Sequence, residues 1–162
     1  MKEKNEIRDM LGEKAKDFFD DITESRVLGA SKHINLIYDI LCEVINTETD
    51  MRIALIKSND IIDFFIATRG KSSNAINNTL SILKKKVNTS DNNNILSFIK
   101  DQKYKMTNDI QRISEYSLNI SKGMKRIMAF DYSSTVEEFL INLPEDVEVV
   151  VPESRVINGG IP

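Results

Sequence analysis

The chain has no tryptophan, one cysteine, one histidine and no long block of like charge. A single cysteine, Cys42, excludes an intramolecular disulfide and points to a reducing, cytoplasmic setting. His33 has no second histidine or cysteine pair beside it, so no metal and no cofactor are expected. A Ser-His-Asp triad would have to use His33, and no nucleophile-elbow sequence accompanies it. No stretch approaches the ~20 apolar residues that cross a bilayer. The opening residues, Met1 to Glu6, are too polar for a signal peptide. No membrane partner is expected.

Charge excludes a further class. Against 22 basic side chains stand 25 acidic ones, net −3. The longest basic block, Lys84, Lys85 and Lys86, lies on an amphipathic segment and reads as a solvated helix end rather than a nucleic-acid patch. No nucleic-acid partner follows from this balance.

What is present is enough apolar material for a core, 41% of 162 residues, in one domain or one domain with part of another. Most of it recurs at helical spacing. Ile7, Met10, Leu11, Ala15, Phe18, Phe19 and Ile22 form one stripe, read as a single amphipathic helix. Ile34, Ile37, Tyr38, Leu41, Val44 and Ile45 form a second, on a helix starting near Ala30. A third, Met51, Leu55, Ile61, Ile62, Phe64 and Phe65, is less regular and suggests a break around Ser58, Asn59 and Asp60. Ile76, Leu80, Leu83 and Val87 make a fourth, with Ser72 or Ser73 as N-cap. The polar run from Asn88 to Asn94 reads as a loop passing into a helix by its turn- and cap-forming residues, and a fifth stripe runs from Ile95 through Ile113 to Leu118. Gly123 is placed to end that helix, because glycine takes the left-handed C-cap conformation without a Cβ penalty.

Past Gly123 the period changes. Ile127 to Phe130 is a short apolar run and Val147 to Val151 is β-branched at all but one site, while Val136, Phe139, Leu140 and Leu143 fit a helix stopped at Pro144. Near-continuous apolar strands on either side of a helix predict a buried, parallel βαβ unit. The expected architecture is α plus partial α/β: about five helices over residues 1–122, then one βαβ unit over 123–162. Two parallel strands leave open edges, so the second domain reads as incomplete and in need of covering.

The wording of this last segment resembles a known family. Tyr132-Ser133-Ser134-Thr135-Val136 after the first strand, and Glu153-Ser154-Arg155 after the second, resemble the regulatory subunits of eukaryotic translation initiation factor 2B. That family is related to ribose-1,5-bisphosphate and methylthioribose-1-phosphate isomerases. Gly29, Ala30 and Ser31 resemble its Arg-Gly-Ala/Ser element, although Leu28 precedes the glycine and Arg26 stands two residues earlier. Thr68 and Arg69, with Ser73, Asn74 and Ala75, resemble its Arg-Pro-Thr element, with Gly70 at the proline position.

The resemblance implies a helical domain followed by a Rossmann-like domain, truncated here. It also implies a residual sugar-phosphate or nucleotide site and assembly into homo-oligomers or with a related subunit. Its ligand-binding residues would be Gly29, Ala30, Arg69, Tyr132, Ser133, Ser134, Glu153 and Arg155. Tyr132, Ser133 and Ser134 would then lie at a helix N-terminus, where free N–H groups and the dipole favour an anion. Arg155 would supply a bidentate grip, and Gly29 would admit close backbone approach. Bland alternatives stand beside these roles: Ser134 and Glu137 also spell a capping box, and Arg155 also has Glu153 as a neighbour. No catalytic residue is expected of this chain by itself; the alternatives are a helical interaction module without a ligand, or half of a sugar-phosphate isomerase completed by another chain. Asp131 occupies the family's cysteine position and Phe130 its histidine position, and a carboxylate does not replace a thiol. The family's catalytic aspartate would fall beyond Pro162. Cys42 itself lies on an apolar stripe with Leu41 and Ile45, as a buried inert thiol would.

Overall fold

The computed structural model describes residues 2–89, 91–130 and 133–152. They divide into two compact units, Met1–Lys103 and Tyr104–Pro162. The division falls inside the longest helix rather than at its end near Gly123.

The first unit is helical: α1 (Lys4–Asp9), α2 (Glu13–Thr23), α3 (Ala30–Thr47), α4 (Met51–Ala67), a single 3-10 turn (Arg69–Lys71), α5 (Asn74–Val87) and the start of α6 (Asn92–Ile120). The first apolar stripe therefore belongs to two helices, not one. Gly12 interrupts it in an extended conformation and caps α2, its carbonyl accepting from the Lys16 N–H at 2.9 Å. Ile7, Leu11, Ala15, Phe19 and Ile22 are all buried across that break. Both helices face the same core, so the period survives although the helix does not.

Helix α4, by contrast, runs unbroken through Ser58, Asn59 and Asp60. Asn59 uses its side-chain amide to reach the Leu55 carbonyl at 3.0 Å, one turn back, so this turn-former reinforces the helix instead of ending it. Asp50 caps the start of α4 through the Arg52 N–H at 2.8 Å. Ser73 caps α5, accepting from the Ile76 N–H at 3.4 Å. The core these helices enclose centres on Phe19, Phe64 and Phe65, whose ring centroids are 5.3–5.6 Å apart, with Ile22, Ile37, Leu41, Ile61 and Leu80 around them.

The second unit holds the rest of α6, then β1 (Arg126–Met128), α7 (Ser134–Leu140) and β2 (Glu148–Val150). Gly123 takes φ 81°, the left-handed conformation expected after α6. The strands pair in parallel, Arg126 with Glu148, Ile127 with Val149 and Met128 with Val150. The ladder extends by one bond, from the Ala129 N–H to the Val150 carbonyl at 2.9 Å. Helix α7 stops at Leu140, short of Pro144, in a turn where Asn142 and Leu143 donate to the Phe139 and Leu140 carbonyls. Ser114 on α6 donates to the Glu138 carbonyl on α7 at 3.2 Å. A helical region followed by an unclosed parallel βαβ unit is thus the fold.

One expectation fails here. The strands are not buried: Met128 is 67% exposed and Val149 38%, and Phe130 and Val151 just past the strand ends are exposed as well. Among the described residues of this unit only Ser114 and Ala129 are buried. Apolar, β-branched sequence marks what a sheet face prefers to cover, and a two-stranded sheet leaves most of it uncovered.

Candidate functional site

In the first unit the sequence-derived positions gather at the turn between α2 and α3. Chain direction reverses after Thr23 through a tight arrangement in which both the Arg26 and Val27 N–H groups donate to the Asp21 carbonyl, at 3.0 and 3.3 Å. Ser25 sits at φ 59°. Gly29 follows at φ 94° as the N-cap of α3, a conformation that disfavours a side chain, and Ala30 is the first helical residue. The Gly29 carbonyl accepts from the His33 N–H at 3.1 Å.

The His33 ring then folds back over the turn. Its Nε2 lies 2.7 Å from the Val27 carbonyl. A carbonyl only accepts, so Nε2 carries the proton. His33 is 8% exposed, and this ring hydrogen bond fixes the turn. No group of three His, Cys, Asp or Glu residues suited to a metal ion occurs among the described residues.

Arg69 approaches the same turn from the 3-10 segment after α4. Thr68 ends α4 by directing both its N–H (3.0 Å) and its hydroxyl (2.7 Å) to the Phe64 carbonyl. Gly70, buried, packs against α5; an added Cβ would meet Asn77 Cβ at 3.4 Å. Arg69 donates to the Ile22 carbonyl and to the Ser25 hydroxyl, the latter at 3.1 Å. Helix α2 has no basic residue in its own last turn. The Arg69 guanidinium supplies the cation its C-terminal carbonyls favour.

In the second unit, Ser133 is the N-cap of α7 and Ser134 its first residue. The pairing of Ser134 with Glu137 as a capping box therefore does not form in that register. The Ser133 side chain makes no capping hydrogen bond either, while its carbonyl accepts from the Glu137 N–H at 2.8 Å. Glu137 stands in the first turn and places negative charge where an anion would approach. Asp131, Tyr132, Glu153 and Arg155 lie outside the described residues.

The remaining reactive groups are occupied or subdued. Burial, then the nearby Asp39 carboxylate, pushes the Cys42 thiol up, against a smaller opposing effect of Lys103. Burial alone pushes the Tyr38 phenol up to about 12. Arg8 donates to both carboxylate oxygens of Asp20, from Nε at 2.9 and 3.0 Å and from Nη2 at 2.8 Å, and holds that carboxyl below its ordinary range. In the sequence His33 stands out only as a metal ligand or base, and nothing local marks Ser25 or the Ile22 carbonyl as partners of Arg69. The available signal was weak: an unmatched arginine after one helix and a basic-free C-terminus on another.

Comparison of the chain with protein-family models, with curated proteins and with solved structures finds no match.

Proposed function

We propose that this protein is a non-catalytic assembly or regulatory protein of the initiation-factor-2B type, retaining contact with a sugar phosphate or nucleotide and acting in the cytoplasm. The observation that carries the reading is the parallel pairing of β1 with β2 around α7, after a helical unit. It sets Ser133 and Ser134 between a strand's carboxyl end and a helix start, the place where α/β units receive phosphates. The assembly part rests on the exposed apolar side chains of this sheet, Met128 and Val149, and of Phe130 and Val151 just past it, with both outer strand edges unpaired among the described residues. The lack of catalysis is supported by the raised Cys42 thiol and by the engagement of His33 with Val27. No described helix is long and apolar enough to cross a membrane.

Thermal shift of the full chain with ribose 5-phosphate and with AMP tests the ligand, and light scattering on a size-exclusion column tests assembly. The expected results are a raised melting temperature with one of the two and a species larger than the monomer. No shift at millimolar ligand would overturn the first part, and a monomer at high concentration the second.

A second reading, an interaction module without a ligand, is favoured by Arg69. Its guanidinium is already committed to Ile22 and Ser25. On that reading Arg69→Ala changes stability but not partner binding.

A further inference from the structure

We draw no further inference here: the strongest candidate, the exposed apolar surface of Met128, Phe130, Val149 and Val151 along the two-stranded sheet, is an unpartnered face, and nothing in the structure shows what covers it.

Discussion

The guanidinium of Arg69 is bonded to the backbone carbonyl of Ile22, in the last turn of α2 and 47 positions earlier in the chain. It also reaches Ser25, so one side chain fastens both the helix end and the turn that follows. A charged donor on a helix C-terminal carbonyl combines a charge-assisted hydrogen bond with favourable dipole alignment. Arg69→Ala is expected to cost about 2 kcal/mol, and Arg69→Lys less, because an ammonium still donates to Ile22. Urea denaturation measures both. Equal midpoints for the alanine variant and the wild type would mean that this contact contributes nothing.

Arg8 and Asp20 should contribute to the acid limit of the first unit. Hydrogen bonding from Arg8 lowers the Asp20 carboxyl, against an opposing effect of burial. The folded form therefore binds this proton less readily than the unfolded chain. Its contribution is complete above the ordinary value of 3.8 and declines as pH falls through the lower, folded value. Hydrogen bonds from Lys16, Lys57 and Lys125 lower Glu13, Glu48 and Asp146 in the same direction. Asp20→Asn should flatten the acid side of a plot of denaturation midpoint against pH. An unchanged slope between pH 5 and pH 2 would assign that loss to other groups.

Ser58 is fully buried on α4, and its hydroxyl finds no hydrogen-bond partner among the described residues. An unpaired buried hydroxyl carries a desolvation cost of about 1–3 kcal/mol, partly offset by the packing of the oxygen. Ser58→Ala should thus be neutral or stabilising by up to about 1 kcal/mol. Ile61→Ala, in the same core, should destabilise by about 2–5 kcal/mol. Comparable losses in the two variants would show that the serine hydroxyl is satisfied in solution.

Gly12 and Glu43 should be coupled. A Cβ on Gly12 would collide with the Glu43 Oε1 atom, and the other carboxylate oxygen is buried without a partner among the described residues. Gly12→Ala must push that carboxylate aside. The same substitution in a Glu43→Ala background meets no such obstacle. A double-mutant cycle should return a coupling of at least ~0.5 kcal/mol, and additive effects would contradict the close approach.

Cys42 is half-buried rather than part of the core, yet it should still behave as a subdued thiol. With its ionisation pushed up by burial, reaction with an aromatic disulfide reagent at neutral pH should be slow in the folded protein and fast in denaturant. Equal rates would place the thiol in an exposed, reactive setting.

Much of the fold was legible locally. Helices α3 and α5 begin where Ala30 and Ser73 suggest, Gly123 follows α6 in the left-handed conformation, and the change of period after it marks the βαβ unit. The candidate site was less legible. Gly29 announces a special backbone position by its residue type. Arg69 announces only a charge, and what that charge meets depends on residues far away in sequence.

The sequence by itself determined which segments are helical and which extended, because apolar spacing and capping residues act within one or two turns of chain. Tertiary structure decided that one apolar stripe is shared by α1 and α2, since Gly12 lets the chain bend while both helices keep facing a common core. It also decided that α4 continues through Ser58, Asn59 and Asp60, and that Arg69 holds the end of α2. Tertiary structure likewise left Met128 of β1 and Val149 of β2 exposed, and Ile127 and Val150 only partly covered, despite their apolar character. Burial and pairing depend on which surfaces meet, and a periodic pattern records only which surfaces are suited to meeting.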